Sequence, residues 1–432
     1  MFEFGIASPI AGIGTLFILY MIITGVGTWG LNNQVDWAWD ITNFVFWIGI
    51  GHAGTLISAI LCLLKQKWRT AVNRSAEAMT IFAVICAGIF PGIHVGRIWK
   101  SYFILPYPNQ RALWVNFKSP LLWDVFAIST YASISIVFFY VGLIPDIAIA
   151  RDRATGIKKA LYTVLALGWQ GTGPQWKAHS RTVLHLSGLA TPLVLSVHSV
   201  VSWDFAMSTV PGWHTTIFAP YFVAGAIFSG LSMVMTVLIP IRTVFGLEDY
   251  ITKHVIQSVC RVIIFTSIIV GYAYATEFFI AWYSGSPYER AIFYFRPFGE
   301  MASWSLIGDQ KISFPLIAFW LMVFCNVIAP IPLWRWKVRN NPLAVWIICA
   351  LINVGMWFER YVIIITSLSR EYISGSWGLY VISPVELSVL AGSFCWFSMW
   401  FLLFLKVFPV IAITEVKELA IHAKEHAAGG GH

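Results

Sequence analysis

The residues of this chain most able to do chemistry are ionisable side chains inside long apolar segments. His94 and Arg97, in the segment FPGIHVGR, are three residues apart, a spacing that predicts one shared helix face. Asp124, in PLLWDVFAIST, begins the next apolar segment, and a short hairpin would bring it to the depth of His94. A histidine beside a carboxylate suits quinol oxidation, because one group accepts a hydroxyl proton while the other orients the imidazole. A structural ion pair with Arg97 is the equal alternative for both residues.

Further ionisable side chains lie in the apolar segments. Placing such a side chain inside a membrane costs about 2.5–3.5 kcal/mol, so each one is a candidate functional residue. Those expected near the same face as His94 are Asp40, His198, Asp204, Glu277, Tyr283, Glu359 and Arg360. Candidates for a buried proton relay are His52, His185, Glu277, Glu359 and Arg360, for which ion pairs between helices are the alternative. His52 lies about halfway across, in the small-residue stretch GIGHAGTLISA, where structural hydrogen bonding is also an alternative.

Two other functions stay open from these residues. One is haem binding. The 13-residue spacing of His185 and His198 could hold two haems if a second helix repeated it, but no second helix does. A single haem held between His94 and His198 is the arrangement that stays open. The other is a solute transporter, although the charges cluster at one face instead of the midplane. The six cysteines lie in apolar runs without a CxxC motif, which argues against a zinc or iron–sulfur site in this chain.

The composition identifies the elements that position these residues as membrane spans. The chain has 432 residues, of which 58% are hydrophobic and 11% charged, too few charged residues to cover a soluble protein. The net charge of +8 does not indicate nucleic-acid binding, because the basic residues lie in short loops between apolar runs. The sequence therefore predicts an all-α integral membrane protein.

Ten apolar runs are long enough to cross a bilayer as helices. They are residues 10–30, 41–64, 77–99, 121–144, 181–203, 216–240, 251–283, 313–332, 342–367 and 386–409. The first run has no basic segment before it and no cleavage site after it, so we expect a retained helix. Lys and Arg are concentrated after spans 2, 4, 6 and 8 and in the C-terminal tail. By the positive-inside rule both termini are cytoplasmic, and the loops after the odd-numbered spans face outward.

The long loops differ in character between the two sides. The outward loops 100–120 and 284–312 are rich in aromatic residues, glycine and proline, which makes them candidates for docking a partner. Anchoring at the membrane interface is the alternative for each aromatic residue. The inward loop 145–180 is basic and is predicted to be surface, and the segment after residue 411 is predicted to be a polar tail.

Five long motifs make the chain similar to the NrfD/polysulfide reductase superfamily of membrane subunits. They are GVGTWGLNNQVDWAWDITNFVFWIGIGHAGTLISAIL (25–61), RSAEAMTIFAVICAGIFPGIHVGR (74–97), SPLLWDVFAISTY (119–131), HSVVSWDFAMSTVPGWHTTIFAPYFVAGA (198–226) and GYAYATEFFIAWYSGSPYER (271–290). Within that superfamily the sequence most resembles the C subunits of bacterial alternative complex III, because the outer histidine and carboxylate set is intact. The paralogous F subunits, expected to act as a scaffold or proton path without binding quinol, are the alternative.

The resemblance implies two four-helix bundles, formed by spans 2–5 and 6–9, with spans 1 and 10 peripheral. The corresponding segments are a first helix with its outer loop (1–40), a first bundle (41–210), a second bundle (211–367), a last helix (368–410) and a cytoplasmic tail (411–432). By motif position, His94 and Asp124 would contact a quinol and accept its protons. Arg97, His198 and Asp204 would line or support that pocket.

The resemblance also implies a role in a quinol:electron acceptor oxidoreductase complex of the bacterial inner membrane. Menaquinol would be oxidised near the periplasmic face by this chain, which would hold no haem, iron–sulfur cluster or metal of its own. Electrons would pass to the iron–sulfur protein of the complex, its B component, and then to the haem c components A and E. The membrane components D and F and lipids would complete the assembly. Coupling to proton translocation and association with a terminal oxidase are left open.

Overall fold

The computed structural model describes residues 2–105, 117, 119–299 and 314–417. The middle of the outward loop 100–120, residues 300–313 of the second outward loop and the tail from residue 418 lie outside the described residues. Of the described residues 81% are helical, and no strand occurs among them. The predicted all-α fold is therefore confirmed.

Ten helices in the described residues are long and apolar enough to cross a membrane, which confirms the predicted number of spans. In chain order they are α1 (Phe2–Thr24), α2 (Trp39–Leu63), α3 (Asn73–His94), α4 (Pro120–Arg153), α6 (Gly173–Ala206), α7 (Phe218–Val244), α8 (Lys253–Tyr283), α10 (Phe314–Val323), α12 (Pro342–Leu368) and α13 (Pro384–Val407). The α10 span continues to Trp334 through a π-helical turn at Phe324–Ile328 and a 3₁₀ turn at Ile331–Trp334.

Three shorter helices were not predicted, namely α5 (Gly156–Leu165), α9 (Pro287–Phe298) and α11 (Trp336–Arg339). The first lies in the loop 145–180 that was predicted to be surface, and the second in the outward loop 284–312 that was predicted as a candidate for docking a partner. Short 3₁₀ turns at Val26–Thr28, Lys67–Ala71, Ile98–Ile104 and Ser374–Ser376 complete the connections.

Proline and capping residues explain where several spans begin. Proline occupies the first turn of α4, α6, α12 and α13, where its missing N–H has no helical partner to lose. Thr172 with Gln175, and Ser383 with Glu386, form capping boxes at the starts of α6 and α13. The side chain of Asn341 accepts hydrogen bonds from two backbone N–H groups at the start of α12.

The spans pack as two groups of four with a peripheral pair. In the first group α2 and α4 each contact α3 and α6, and in the second α12 and α8 each contact α7 and the α10 span. Helices α1 and α13 pack together and cross so closely that a Cβ on Gly14 would lie 2.6 Å from the Cα of Gly392. Helix α2 contacts helices of both groups and is buried along nearly its whole length. It is therefore the element that carries side chains into the centre of the molecule.

Candidate functional site

The ionisable pair nearest the face predicted to be outer, called the outer face below, joins the first turn of α2 to the last residue of α3. Asp40 is buried, and its Oδ1 accepts hydrogen bonds from the backbone N–H groups of Ala38 and Ile41 at 3.1 and 2.8 Å. Its Oδ2 is hydrogen-bonded to Nδ1 of His94. The His94 side chain keeps 27% of its surface exposed. A fixed carboxylate thus orients an imidazole that substrate can still reach.

The end of α3 corrects two predictions about this pair. The helix stops at His94, and Gly96 turns the chain with a φ of +75°, a conformation that favours glycine. Arg97 therefore lies beyond the helix and is exposed, so it does not share a helix face with His94. The carboxylate that binds His94 is Asp40 and not Asp124. Asp40 was predicted to lie near this face, but the sequence did not distinguish it from Asp124 as the partner of His94, because both are acidic residues at the predicted outer start of a span.

Aromatic rings surround the outer pair. The indole of Trp37 meets the His94 ring edge-on, with the centroids 6.5 Å apart. Trp37 also contacts Phe205 at 5.7 Å and Trp213 at 5.8 Å, and Phe205 and Trp213 lie 5.0 Å apart. The Trp213 indole N–H donates to the carbonyl of Ile363 at 2.8 Å, which fixes its ring. These flat apolar surfaces beside an imidazole suit a planar aromatic ligand.

A second acidic pair lies at the outer ends of α4 and α6. Asp124 is buried, Asp204 is half-buried, and the two carboxyl groups lie close enough to interact electrostatically. Two carboxylates this close repel each other, which favours a proton on one of the two groups. The indoles of Trp123 and Trp203 pack edge-on beside the pair, with centroids 5.9 Å apart. The Oδ1 atoms of both aspartates have no hydrogen-bond partner in the described part of the chain, which leaves them able to receive another donor.

The structure places His198 beside His52 and not beside His94. The Nδ1 atoms of the two buried rings are 2.7 Å apart, so one must donate and the other accept. Neutral rings in this arrangement hold different tautomers. Both Nε2 atoms are buried without a partner among the described residues. Two phenylalanine rings lie between this pair and Trp37. Phe222 contacts the His198 ring at 6.0 Å and Phe205 at 5.5 Å, and Phe205 in turn contacts Trp37.

Hydroxyl groups continue inward from the histidine pair. The Tyr131 ring packs on His52 with centroids 4.3 Å apart, and its hydroxyl donates to the carbonyl of Gly51 at 2.6 Å. The same hydroxyl is 3.4 Å from Thr55 Oγ1, which lies 3.0 Å from Ser135 Oγ. The side chains therefore form a line in which each contacts the next through a ring or a hydrogen bond, in the order His52, Tyr131, Thr55 and Ser135.

The inner end of the first bundle holds a buried charged cluster that the sequence did not predict as a site. Arg74 is 2.9 Å from Asp146 and 3.5 Å from Glu77, and all three side chains are buried. Ser58 donates to Glu77 at 2.5 Å. Two acids and one base give the cluster a net negative charge when all are ionised. Arg74 and Asp146 appeared in the sequence as ordinary loop charges, because α3 begins at Asn73 and α4 continues to Arg153, outside the predicted spans 77–99 and 121–144.

A second buried cluster lies in the second bundle around Glu359. The hydroxyl of Tyr274 donates to Glu359 Oε2, and the amide of Asn326 donates to that hydroxyl at 2.8 Å. Asn326 sits in the π-helical turn of the α10 span, a feature that often marks functional sites. Arg360 Nη1 is 2.9 Å from Glu359 Oε1, but the pair is aligned too poorly for a hydrogen bond. The guanidinium also stacks 4.4 Å from the Phe222 ring centroid.

Glu277 connects this region with the outer surface. Its Oε2 is 3.7 Å from Nη1 of buried Arg296, whose pKa is lowered by burial and raised again by Glu277. Glu277 and Glu289 both line a cavity of about 70 Å³, next to His214. His214 Nε2 is 3.4 Å from Glu289 Oε1. The sequence predicted Glu277 as a relay residue but gave no sign of Arg296, Glu289 or His214 as neighbours.

His185 is separate from these groups. Its side chain is exposed on α6, so the structure does not bring it to the buried histidines or acids. No group of three or more histidine, cysteine, aspartate or glutamate side chains that could hold a metal ion occurs among the described residues. All six cysteines are free thiols.

Comparison with known proteins identifies the family to which this fold and site belong. The family described as polysulphide reductase, NrfD, matches residues 27–370, which is most of the chain. The chain is a member of the NrfD family. That match includes both members of the Asp40–His94 pair, both of the Asp124–Asp204 pair and the second-bundle cluster.

Two relatives of this NrfD protein have names that describe their complexes. A putative membrane subunit of dimethyl sulfoxide reductase from Halobacterium salinarum is 24% identical over 242 residues, which cover 53% of this chain and 51% of the relative. The chain thus spans about half the length of that relative. An Hdr-like menaquinol oxidoreductase integral membrane subunit of Archaeoglobus fulgidus is 21% identical over 365 residues, covering 83% of this chain and 78% of the relative. Both relatives are named as membrane subunits of oxidoreductases.

Proposed function

We propose that this NrfD protein oxidises a quinol at the Asp40–His94 pair, near the face predicted to be periplasmic. The hydrogen bond between a buried, doubly fixed carboxylate and a partly exposed imidazole is the observation that carries this proposal. The flat rings of Trp37 and Trp213 beside it would hold an aromatic quinol head group. The name of the Archaeoglobus relative, a menaquinol oxidoreductase subunit, supports menaquinol as the substrate.

The chemistry of the pair follows from its geometry. Oxidation of a quinol to a quinone releases two protons and two electrons. The free face of the His94 imidazole would take the first hydroxyl proton, and Asp40 would stabilise the positive charge that this transfer creates. The second proton needs another acceptor, and each carboxyl group of the Asp124–Asp204 pair has an oxygen without a partner among the described residues. The two electrons would leave to an iron–sulfur partner of the complex.

We assign the chain, more finely, to the C subunits of alternative complex III in the bacterial inner membrane. In that assembly it would dock the iron–sulfur B component on its outer loops, and pass electrons through it to the haem c components A and E. The membrane components D and F would be its neighbours. The intact outer histidine and carboxylate set supports this assignment over an F subunit acting as a scaffold.

The buried polar groups support a coupled proton route through the first bundle. The line from the His52–His198 pair through Tyr131 and Thr55 leads toward the inner Glu77–Arg74–Asp146 cluster. In the second bundle, Glu359, Arg360 and Glu277 would form a separate branch that ends at the small outer cavity. His185 is left out of this route, because its side chain is exposed.

The test compares four variants of the assembled complex: Asp40→Asn, His94→Gln, Asp124→Asn and, as control, His185→Gln. Removing a positioned general base costs about 10²- to 10⁴-fold in rate. We therefore expect Asp40→Asn and His94→Gln to lower quinol oxidation about 100-fold or more, with His185→Gln at the parental rate. Binding of a fluorescent quinol analogue, measured on the same samples, separates loss of affinity from loss of turnover.

Three outcomes would contradict parts of the proposal. Full turnover in both Asp40→Asn and His94→Gln would remove the site from this pair. A large loss of turnover in Asp124→Asn, with normal turnover in Asp40→Asn and His94→Gln, would make the Asp124–Asp204 pair and not His94 the acceptor of the first proton. Unchanged analogue binding and turnover in every variant would favour the scaffold function of an F subunit.

A further inference from the structure

The short helix α5 carries an apolar stripe that no part of the described chain covers. Ile157, Leu161 and Val164 recur at intervals of four and three residues, and their side chains are 89%, 53% and 73% exposed. Leu167, just beyond the helix, continues the stripe at 68% exposure. The helix lies outside the ten membrane spans, so lipid tails at the middle of a bilayer do not explain the stripe.

Contacts on the other side of α5 fix its depth. The hydroxyl of Tyr162 donates to the carbonyl of Val407, the last residue of the α13 span, at 3.1 Å. The hydroxyl of Tyr140, within α4, donates to the carbonyl of Leu165 at 2.7 Å. Ala166 is buried against Leu143 and its neighbours. The C-terminal half of α5 is therefore held at the level where α13 leaves the membrane.

The surroundings of α5 are basic. Five exposed cations lie on or near it, namely Arg153, Lys158, Lys159, Lys177 and Arg181. The acids between residues 145 and 181 are Asp146, which is buried against Arg74, and Asp152, which pairs with Arg151 at 2.9 Å. The indoles of Trp169 and Trp176 lie 5.0 Å apart in the same region, and tryptophan is enriched at membrane interfaces. The apolar stripe is therefore bordered by uncompensated positive charge.

We propose that α5 lies in the inner-leaflet interface, with its stripe at the acyl boundary and its lysines bound to the phosphates of anionic phospholipids. An apolar face flanked by lysines at the edge of the hydrocarbon is the pattern of interfacial helices. A protein partner is a poorer fit, because the stripe holds four aliphatic side chains and none of the Trp, Tyr or Arg residues that dominate protein interfaces. This inference does not depend on the proposed quinol chemistry.

The first experiment measures lipid binding to the purified full chain in detergent by native mass spectrometry. Phosphatidylglycerol is titrated against the parental protein, Lys158→Gln/Lys159→Gln and the control Lys65→Gln/Lys67→Gln. The control removes the same charge from exposed positions on the same side. A basic residue near an anionic surface contributes about 1 kcal/mol, so we expect about fivefold weaker binding per lysine in the α5 variant alone.

Equal loss in both double variants would overturn the site, because it would show a general charge effect. Equal binding of phosphatidylcholine and phosphatidylglycerol would also overturn it. Full displacement of the lipid by inorganic phosphate would show a site for free anions and not for lipid.

A depth measurement gives a second readout that needs no charge change. Spin labels are placed at Val164→Cys on the stripe and at Thr163→Cys beside it, in a Cys62→Ser/Cys395→Ser background reconstituted with anionic lipid. The label at position 164 is expected to be accessible to oxygen and shielded from a water-soluble nickel chelate, and the label at position 163 to show the reverse. Nickel access at both positions would mean that the stripe faces water, which would overturn the proposal.

Discussion

At the scale of single residues, Tyr131 is the group that links the central histidine pair to the hydroxyls below it. Its phenol packs on His52 and reaches Thr55, while the carbonyl of Gly51 that it binds also accepts a hydrogen bond from Thr80 at 2.8 Å. Removing the Tyr131 hydroxyl therefore leaves that carbonyl satisfied. The fold should tolerate the change at a cost of about 1 kcal/mol.

Under the proposed proton route, we expect Tyr131→Phe to slow proton uptake from the inner side severalfold while quinol-analogue binding stays unchanged. Stopped-flow detection of pH change in vesicles containing the assembled complex measures the first quantity. Thr163→Val, which removes a hydroxyl from an exposed position on α5, serves as the control. Parental uptake in Tyr131→Phe would exclude this phenol from the route.

The residue scale also shows what the sequence could predict about the site. Charges inside apolar runs identified His94, Asp124, Glu277 and Glu359 as candidates, because burial of charge is costly in any fold. Pairing was not predictable, since it depends on how far each helix is rotated about its own axis and where it ends. His94 meets Asp40 because α3 stops at that residue, and His198 meets His52 because α2 and α6 pack side by side.

At the scale of elements, close helix approach depends on glycine at Gly54 of α2. A Cβ there would lie 2.2 Å from the carbonyl oxygen of Ala76 and 2.3 Å from Thr80 Oγ1, so α2 and α3 would have to separate. We expect Gly54→Ala to destabilise the protein by about 1–3 kcal/mol, the usual cost of overpacking. Gly88→Ala on α3, where no atom lies within 4 Å, should be neutral or slightly stabilising.

A thermal melt of the two glycine variants in the same detergent measures the difference. Equal midpoints for Gly54→Ala and Gly88→Ala would show that the α2–α3 contact can relax without cost. Because α2 carries Asp40 and His52, loss of that contact should also reduce quinol oxidation.

The chain after α13 forms a second positioning element, a C-terminal strap of residues 408–417. Glu415 binds Arg69 through both carboxylate oxygens at 2.9–3.1 Å and accepts from Asn73 at 3.0 Å. Thr414 donates to Asp146 from its backbone N–H and its hydroxyl, both at 3.2 Å. The strap therefore covers the inner charged cluster of the first bundle.

We expect Glu415→Gln to open the strap without unfolding the bundle, because a partly exposed ion pair contributes about 1 kcal/mol or less. Hydrogen exchange of peptides covering residues 408–417 should become severalfold faster, while peptides within α13 keep their protection. Lys417→Gln, an exposed change in the same segment, is the control. Unchanged exchange in Glu415→Gln would mean that other contacts, such as those of Thr414 and Val410, hold the strap.

The span boundaries were predictable to within a few residues for most helices, because a bilayer requires about 20 consecutive apolar residues and such runs can be read from the sequence. One exception is α1, which spans Phe2–Thr24 where the run 10–30 was predicted, and three other helices depart for identifiable reasons. α4 and α6 run far past their apolar cores, since α5 and its connections support their inner ends. The turn at Gly96 ends α3 five residues before the apolar pattern does.

At the scale of the whole molecule, the proposed chemistry depends on which way the ten spans cross the membrane. The Asp40–His94 pair lies at the α2 start and the α3 end, while the basic α5 region lies at the opposite ends of the bundle. The charge asymmetry of the loops predicts the first end to be periplasmic and the second cytoplasmic. A reversed orientation would release quinol protons into the cytoplasm, and would remove the anionic-lipid argument for α5.

Two matched lysine-to-cysteine changes decide this orientation. Lys100→Cys lies in the outer 3₁₀ turn and Lys158→Cys in α5, and both side chains are exposed. In the Cys62→Ser/Cys395→Ser chain expressed alone, we expect a membrane-impermeant maleimide to label Lys100→Cys in intact spheroplasts. Lys158→Cys should be labelled only after permeabilisation, since the bilayer separates it from the reagent. Labelling of Lys158→Cys in intact spheroplasts would reverse the predicted topology, and with it the side on which quinol oxidation releases protons.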